Sequence, residues 1–415
     1  MPKITKFELI SVDLPFRHAF RHAAVARSVS GSLFLKCSTD TGAIGFGESL
    51  PREYVTGESR DGAFKLLKDS ILPRLIGMEF PSLTTVRAFL EACDGKAPEG
   101  WVASSVPQSA AWCAVDLALL DVFGRAFQEP VRLNGAARWD PRLRYSGVVS
   151  ADNPGRFTMS LIKLALYGFK QVKLKTNGRN LRQCTRIARR LFGKNGAVRV
   201  DANMAWDFSE ALDQIWILEQ NGIRCVEQPL KPQDLKGLHR LVAETNSEII
   251  ADEGFYSRTS LDRLIRRRAC AGVNVRISKC GGLIAAARRY EQARSAGLTT
   301  QIGCQVGESS LLSAAQLILI GAVPPPKYLE GCYGKHLLRD DPGSPCLQLG
   351  YGGRLPQLTD RPGLGVEIDE AMLNCHASKR VIVEEPIGAR TKGRSHVPHS
   401  QIDSVTHRAN YSQNV

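Results

Sequence analysis

Eight short apolar segments, each followed by an amphipathic helical pattern, fill the chain from about residue 143 to residue 331 and limit the folds open to it. The predicted strands are Leu143–Ser150, Gln171–Lys175, Ala197–Asn203, Cys225–Gln228, Glu248–Glu253, Gly272–Lys279, Thr299–Cys304 and Tyr328–Gly331. Strands that alternate with helices in this way form parallel sheets. Eight in a row predict an α/β fold whose sheet closes, or nearly closes, into a (β/α)7-8 barrel of the modified TIM type.

A different pattern precedes the barrel. Residues 3–12 and 31–38 alternate in strand fashion, and the stretch Thr39-Asp40-Thr41-Gly42 predicts a hairpin turn after the second of them. Residues 60–95 and 107–126 have helical patterns, and the second of these is apolar almost all round, which is typical of a buried helix. Strands followed by helices predict a separate N-terminal α+β domain.

These patterns divide the chain into four parts. We expect the α+β domain over residues 1–130, the barrel over 131–340, a segment over 341–385 that returns to the first domain, and a flexible tail over 386–415. The tail is rich in Ser, His, Arg and Asn, a composition that rarely builds a core. A chain of 415 residues is long enough to form two or more cores.

The composition is typical of a globular cytoplasmic protein. Hydrophobic residues make up 43% of the chain and charged residues 23%. The longest apolar stretches, such as Leu311–Ile320, reach about half of a membrane span, and the N-terminus has no signal-peptide core. Eleven cysteines without a CxxC pair indicate reduced thiols. We therefore expect a cytoplasmic protein with no membrane partner.

The net charge of +14 raises the question of a nucleic-acid partner. Arginine clusters such as Arg266-Arg267-Arg268 could attract nucleic acid, but they are also typical of solvated helix faces and subunit contacts. No nucleic-acid-binding motif accompanies them. We therefore expect no nucleic-acid partner.

One charged residue stands at the end of each of five successive predicted strands. These residues are Lys175, Asp201, Glu227, Asp252 and Lys279, separated by 26, 26, 25 and 27 residues. A single charge at a strand end usually faces solvent, but five in phase with the strand repeat are hard to explain in that way. Because the carboxyl ends of barrel strands meet at one mouth, the spacing predicts that all five side chains line it.

The three carboxylates in this series predict a metal site. Asp201, Glu227 and Asp252 would repel one another and raise each other's pKa if they converged without a counter-ion. A hard divalent cation removes that cost, and Mg²⁺ prefers oxygen ligands and leaves positions open for substrate or water. Zinc fits less well, because no His or Cys joins the cluster. The pattern predicts Mg²⁺ as the cofactor.

The two lysines flank the predicted metal site. Lys175 ends the second predicted strand and Lys279 the sixth, and these strands face each other across a closed barrel. Lys173 lies two residues before Lys175 and points to the same side by strand alternation. A lysine held near Mg²⁺ and another cation has its pKa lowered toward the range of a useful base. The metal would hold a substrate carboxylate and stabilise the enediolate that forms when the α-proton leaves.

Several segments of the chain resemble the muconate-lactonizing subgroup of the enolase superfamily, for which a lysine or histidine base with magnesium is the known pattern. The matching segments are Gly45-Phe-Gly-Glu48, Val172-Lys-Leu-Lys175, Val200-Asp-Ala-Asn203, Val226-Glu-Gln-Pro229, Ala251-Asp-Glu253, Val275-Arg-Ile-Ser-Lys-Cys-Gly-Gly282 and Ile302-Gly-Cys-Gln-Val-Gly-Glu308. The resemblance extends from residue 3 to about residue 385.

The resemblance assigns roles to individual residues. It implies that Asp201, Glu227 and Asp252 bind Mg²⁺ and that Lys175 and Lys279 form the acid/base pair. It makes Lys173, Asn203 and Glu253 supporting residues that orient the ligands and the lysines. It also implies that the first domain caps the barrel and that Phe16-Arg-His-Ala-Phe20 lies in a lid over the substrate, which makes Phe20 a candidate substrate contact. Subgroup members are commonly homo-oligomers, so we expect one here.

The resemblance leaves the reaction open. Pro51-Arg52-Glu53-Tyr54-Val55-Thr56-Gly57-Glu58 is similar to a lid-side segment of dipeptide epimerases, but their Asp-x-Asp after strand eight is replaced by Glu330-Gly331-Cys332. Glu330 could still bind a substrate cation, whereas Arg17 and Arg21 either favour an acidic substrate or are ordinary surface residues. We expect a racemase or epimerase of a small-molecule carboxylate of the dipeptide or N-acylamino acid type. The alternative is a cycloisomerase or an o-succinylbenzoate synthase-like dehydratase, and a non-catalytic binding protein ranks third.

Overall fold

The computed structural model describes residues 1–22, 25–134, 140–150, 154–193 and 196–384, with the side chains of residues 18–22, 25 and 26 left aside. The first part of the chain forms strands β1 (Ile4–His22), β2 (Val25–Thr39) and β3 (Ile44–Ser49), and helices α1 (Glu53–Thr56), α2 (Arg60–Leu66), α3 (Leu72–Leu75), α4 (Leu83–Cys93) and α5 (Ser109–Ala126). A π-helical turn over Leu67–Ile71 joins α2 to α3.

The three strands form an antiparallel meander that packs against α5. Leu9 of β1 and Leu35 of β2 are paired in register, and both are fully buried. The turn between β2 and β3 lies where Thr39–Gly42 predicts it, with Gly42 at φ 81. The predicted helical stretch 60–95 is interrupted between α3 and α4, where Gly77 adopts φ 83. Such a backbone angle cannot continue a right-handed helix.

The middle of the chain alternates strands with helices. The strands are β4 (Gly147–Ser150), β5 (Gln171–Lys175), β6 (Ala197–Asp201), β7 (Cys225–Glu227), β8 (Glu248–Ala251), β9 (Gly272–Val275), β10 (Thr299–Ile302) and β11 (Tyr328–Leu329). The helices are α6 (Pro154–Leu166), α7 (Leu181–Phe192), α8 (Phe208–Gln220), α9 (Leu235–Glu244), α10 (Arg258–Arg267), α11 (Ile277–Cys280), α12 (Leu283–Ser295) and α13 (Ser310–Ala322). Among the described residues, no helix is long and apolar enough to cross a membrane.

The eight strands form one parallel sheet in chain order, from β4 to β11. The residue before β4 meets the other edge strand, β11, at the backbone, because the Ser146 N–H donates a hydrogen bond to the Leu329 carbonyl at 2.8 Å. The sheet therefore closes into a barrel. Together with the separate antiparallel sheet, this architecture confirms the predicted fold class of a β/α barrel with an N-terminal α+β domain.

The last described part of the chain returns to the first sheet. It contains β12 (Gly343–Ser344), β13 (Glu367–Ile368), α14 (Glu370–His376) and β14 (Ala377–Glu384). Strand β14 pairs antiparallel with β1 and forms the edge of the N-terminal sheet. The domain boundaries at residues 130, 340 and 385 stay predictions, and the predicted tail over 386–415 lies outside the described residues.

A buried carboxylate ties the first domain to the barrel. Glu48, in β3, accepts hydrogen bonds from the Ser309 N–H at 3.1 Å and the Ser309 hydroxyl at 2.5 Å. Ser309 caps the N-terminus of α13, where free backbone N–H groups favour a negative or hydrogen-bonding partner. Burial raises the pKa of Glu48 to about 7. The first domain is thus fixed on the rim of the barrel where strands end.

All eleven cysteines lie in the described ranges, and each is a free thiol. Eight are buried, Cys304 and Cys346 are half-buried, and Cys375 is exposed. Most of the thiols therefore act as small apolar side chains in the core.

Candidate active site

The C-terminal ends of three neighbouring barrel strands bring charged residues to one level. Lys175, Asp201 and Glu227 are the last residues of β5, β6 and β7, and the register pairs Lys175 with Asp201 and Asp201 with Glu227. Asp252 directly follows β8. All strands of the sheet are parallel, so these ends form one rim, as the 25- to 27-residue spacing predicts.

Lys279 does not end a strand, and this part of the prediction is wrong. Strand β9 ends at Val275, Arg276 is still extended, and Lys279 lies in the four-residue helix α11. Gly281 ends that helix at φ 91, a left-handed conformation that favours glycine. The apolar pattern of Val275 and Ile277 continues past the strand end, so the sequence pattern does not reveal the turn.

The two lysines have different surroundings. Lys279 is fully buried, and its Nζ donates hydrogen bonds of 2.7 Å to the Asp252 carbonyl, to Asp252 Oδ1 and to the Asn274 carbonyl. Three acceptors satisfy all three donors of an ammonium group. The side chain of Lys175 is 18% exposed, and its Nζ lies 3.8 Å from Asp201 Oδ2. Lys175 is thus the more accessible of the two amines.

The three carboxylates are fully buried, and each faces basic side chains. Lys173 Nζ lies 3.2 Å from Asp201 Oδ2 and 3.3 Å from Glu227 Oε2. Asp252 shares its oxygens between Lys279 and the guanidinium of Arg276. Among the described residues, no three His, Cys, Asp or Glu side chains are gathered around one point as metal ligands would be.

The pKa shifts reflect the balance between burial and these cations. Burial, with the charges of Glu227 and Asp252 nearby, raises the pKa of Asp201 in spite of Lys173. Burial acts in the same direction on Glu227, but Lys173 and Arg276 outweigh it and hold the pKa of Glu227 well below its ordinary value. Asp201 and Glu227 are neighbours, yet their pKa values shift in opposite directions, because the nearby cations outweigh burial at Glu227 and not at Asp201.

The side chains at these strand ends have the type of donor atom that a hard divalent cation prefers. Asp201, Glu227 and Asp252 supply only oxygen donors from three adjacent strands, which is the donor set that Mg²⁺ prefers. Asp201 Oδ2 is buried and, although the Lys173 ammonium lies 3.2 Å away, it accepts no hydrogen bond of good geometry. The metal-ligand roles of these residues stay predictions.

Two predicted supporting residues touch each other beside this cluster. The Asn203 side-chain amide donates to Glu253 Oε1 at 3.2 Å, and the Asn203 N–H donates to Asp201 Oδ1 at 3.1 Å. Burial raises the pKa of Glu253 to about 8, helped by the charges of Asp252 and Asp201. Glu253 Oε2 is buried without a hydrogen bond. The pair is therefore well placed to orient Asp201.

The two predicted substrate contacts have different outcomes. Phe20 belongs to β1, where its backbone pairs with Arg27, but its side chain lies outside the described residues. Glu330 follows β11 and is 5% exposed, with Lys173 and Arg199 bound to its two oxygens. Both substrate-binding roles stay predictions, and the contacts of Glu330 favour a role inside the barrel.

Sequence patterns did not single out three buried polar residues of the site. Arg276 contacts Asp252, Arg199 contacts Glu330, and the Gln301 side-chain amide donates to Glu227 Oε2 at 3.1 Å. Each interrupts an apolar strand run or immediately follows one. A buried polar residue in such a run needs a partner, and that is the signal by which the sequence could have identified them.

Comparison with known proteins identifies the family. A family model described as Enolase C-terminal domain-like matches residues 160–372, just over half of the chain. The chain belongs to the enolase superfamily. The resemblance to this superfamily stated from the sequence motifs is therefore confirmed.

Relatives of the enolase superfamily match nearly the whole chain. The N-succinyl-L-Arg/Lys racemase of Bacillus cereus is 28% identical over 375 residues, which are 89% of this chain and 97% of the relative. Its crystal structure matches with a TM-score of 0.81 over 92% of this chain and all of that chain. A chloromuconate cycloisomerase of Cupriavidus pinatubonensis is 25% identical over 366 residues, 86% of this chain and 94% of the relative.

A third relative was solved with a metal and a dipeptide. The dipeptide epimerase of Cytophaga hutchinsonii, complexed with Mg and the dipeptide D-Ala-L-Val, matches with a TM-score of 0.79 and 21% identity over 92% of this chain and all of that chain. At this identity the match shows the shared fold. Racemases are isomerases, and the predicted class of enolase-superfamily isomerase is confirmed by the match to the racemase of Bacillus cereus.

Proposed function

We propose that this protein is a Mg²⁺-dependent racemase or epimerase that inverts the α-carbon of a small-molecule carboxylate, of the dipeptide or N-acylamino acid type. The observation that supports this most is the arrangement of the two lysines: Lys175 ends the second of eight barrel strands, and Lys279 lies in the short helix after the sixth. Asp201 and Glu227 end two of the strands between them, and Asp252 directly follows the third. Amines on opposite sides of a bound α-carbon suit removal of a proton from one face and its return to the other.

The contacts of the two lysines suggest how they divide the work. Lys279 donates hydrogen bonds to three oxygen acceptors, so it is the proton donor in this proposal. Lys175 is more exposed and has a longer contact with Asp201, so it is the group that removes the proton. In the reverse direction the roles exchange, as inversion of a chiral centre requires.

The carboxylates would hold the cofactor. Asp201, Glu227 and Asp252 would bind Mg²⁺, which when bound would hold the substrate carboxylate and offset the charge that develops as the α-proton leaves. Asn203 donates its backbone N–H to Asp201, and its side-chain amide donates to Glu253. Arg276 and Lys173 keep the cluster neutral enough to be buried.

A cycloisomerase or dehydratase is the second candidate, and the unequal surroundings of the lysines favour it. Such a reaction needs one acid/base lysine, while the other gives electrostatic help. Lys279, buried against three acceptors and 5.1 Å from the Phe255 ring, suits the fixed electrostatic role. Lys175 would then act alone as the acid/base group.

Solvent exchange distinguishes the two candidates. We would incubate the purified protein with Mg²⁺ in D₂O, with separate libraries of dipeptides, N-acylamino acids and cycloisomerase substrates, and follow mass and chirality. A racemase or epimerase gives a one-deuteron mass increase at the α-carbon together with inverted product. Turnover of cycloisomerase substrates without exchange or inversion of the amino-acid derivatives would contradict the first candidate.

A further inference from the structure

Both oxygens of Glu330 are bound by cations inside the barrel. Glu330 Oε2 lies 2.6 Å from Lys173 Nζ, and Oε1 pairs with the guanidinium of Arg199. The backbone is fixed as well, because the Glu330 N–H donates to the Ile302 carbonyl at 2.9 Å. A carboxylate with 5% exposure and two bound cations is committed to partners within the protein.

Arg199 holds Glu330 from one side and is itself held in place. It is 1% exposed, and its Nη1 donates to the Ser146 hydroxyl at 2.9 Å. Its guanidinium lies 4.6 Å from the centre of the Tyr328 ring. A hydrogen bond and an aromatic face restrict the guanidinium to one orientation. The Arg199–Glu330 pair is therefore a fixed anchor beside Lys173.

The ammonium of Lys173 lies closest to this anchor. Its distances are 2.6 Å to Glu330, 3.2 Å to Asp201, and 3.3 and 3.4 Å to the two oxygens of Glu227. An ammonium in tight contact with Asp201 and Glu227 would compete with a divalent cation for the same oxygens. The shortest contact draws the ammonium toward Glu330 instead.

We propose that Glu330 is a positioning residue that, anchored by Arg199, draws Lys173 away from Asp201 and Glu227 and so leaves their oxygens available to a divalent cation. This inference rests on the proposed function only in taking Asp201 and Glu227 as Mg²⁺ ligands. In this role Glu330 would act on the metal site and would not bind the substrate cation that the sequence predicts for it. Residues that support a metal ligand without touching the metal commonly change its affinity 10- to 100-fold, which is roughly the size expected here.

Calorimetric titration of Mg²⁺ into the chelator-treated, dialysed protein without substrate measures this effect directly. We expect Glu330→Gln to raise the Mg²⁺ Kd about tenfold or more, because Lys173 then turns fully to Asp201 and Glu227. Glu330→Asp keeps the charge on a shorter side chain and should give an intermediate Kd. The matched control is Glu248→Gln, which removes a 2.9 Å ion pair between the half-buried Glu248 at the start of β8 and the exposed Lys327. The control should leave the Kd unchanged.

A double-mutant cycle tests the route through Lys173. In a Lys173→Met background the competing ammonium is gone, so Glu330→Gln should change the Mg²⁺ Kd much less than it does in the wild type. An equal change in both backgrounds would mean that Glu330 acts by its charge alone, and it would overturn the proposal. Thermal melts followed by circular dichroism identify any variant that does not fold. If Glu330→Gln does not fold, the effect of Glu330→Asp on the Mg²⁺ Kd in the wild-type and Lys173→Met backgrounds decides.

Three outcomes distinguish this proposal from the proposed function and from the predicted substrate-binding role of Glu330. If the wild type binds Mg²⁺ and Glu330→Gln binds it equally well, the positioning role fails while the proposed function stands. If the wild type gives no Mg²⁺ binding, both fail. If Glu330→Gln raises KM only for cationic substrates and leaves Mg²⁺ affinity unchanged, Glu330 is a substrate contact and the positioning role is overturned.

Discussion

A methyl group on Gly281 would lie 2.2 Å from the carbonyl oxygen of Gly95, so the two backbones are in direct contact. Gly281 ends α11, which carries Lys279, whereas Gly95 follows α4 in the first domain. A Cβ on Gly95 would in turn lie 2.5 Å from the Cys280 carbonyl. The helix with Lys279 is therefore held by the first domain, whereas Lys175 lies on a barrel strand.

Two hydrogen bonds reinforce this contact. Asp116 of α5 accepts from the Leu283 N–H at 2.7 Å, and the Leu50 N–H donates to the Ser278 hydroxyl at 3.0 Å. Both bonds join the first domain to residues next to Lys279. A change on the first-domain side should therefore affect one lysine and not the other.

We predict that Gly95→Ala impairs the reactions of Lys279 selectively. The added methyl group must displace α11, and a shift of about 1 Å in a catalytic group costs about 100-fold in rate. Inversion should fall by that factor, while α-proton exchange persists for the stereoisomer served by Lys175. Gly100→Ala is the control, because Gly100 has φ 82 and no heavy atom within 4 Å of the added methyl. Equal loss of exchange for both stereoisomers would contradict the prediction.

The lysines themselves separate the two proposed reactions. In a racemase or epimerase, Lys175→Ala and Lys279→Ala both lose inversion, and each retains deuterium exchange for one stereoisomer only, a different one in each variant. Proton NMR in D₂O with each pure stereoisomer measures this. If one variant loses all exchange and the other keeps slow exchange, the cycloisomerase or dehydratase candidate takes first place.

We expect the activity to depend on a metal ion that the three buried carboxylates bind. Asp201→Asn, Glu227→Gln and Asp252→Asn should each remove most of the activity and leave the circular dichroism spectrum unchanged. In the wild type, Mg²⁺ at 100 times its Kd should stabilise the fold by about 2.7 kcal/mol, because only the folded state presents the site. Differential scanning fluorimetry with and without chelator measures this shift. Full turnover in excess chelator would exclude the metal assignment.

Asp116 should make stability fall as pH rises. Burial raises the pKa of Asp116 to about 8, in spite of the backbone hydrogen bonds from Leu283 and Ile284, which act in the opposite direction. The folded protein keeps this proton at pH values where the unfolded chain, near its ordinary value of 3.8, has lost it. The stabilisation is complete below the unfolded pKa and is lost progressively up to the folded pKa, by at most about 1.4 kcal/mol per pH unit.

Asp116→Asn should therefore gain stability relative to the wild type from pH 5 to pH 8 and level off above that range. Urea unfolding in the presence of chelator, at each pH, gives the free-energy difference. Asp213→Asn, on the exposed face of α8, controls for the change in net charge. A difference between Asp116→Asn and the wild type that does not change with pH would show that the carboxyl is ionised throughout.

Repetition made most of the fold and the site predictable from sequence. Eight strand segments appear where apolar runs alternate with helical patterns, and the regular spacing of Asp201, Glu227 and Asp252 follows from one βα unit per strand. Once these strands pair in register, the charged residues at their ends lie side by side. Such a periodic pattern can be recognised in a single sequence, because each βα unit has the same alternation of an apolar strand and an amphipathic helix.

Contacts between distant segments were not predictable. The hydrogen bond from Leu283 to Asp116 spans 167 residues, and no local pattern marks either partner. The partners of Glu330 are of the same kind, because Arg199 and Lys173 interrupt apolar strands without any sign of what they face. Sequence patterns indicate that such a residue needs a partner but not which one.

Arg199 bridges the line along which the barrel closes. It donates to Ser146, just before β4, and pairs with Glu330, just after β11, so one guanidinium spans the first and last strands. Each interior strand of the sheet is hydrogen-bonded to a strand on either side. Strand β11 lies at one edge of the sheet and has only two residues. Amide hydrogens along this line should therefore be the first of the barrel to exchange with deuterium in the native state. The charged residues under the active site would then set how often the barrel opens.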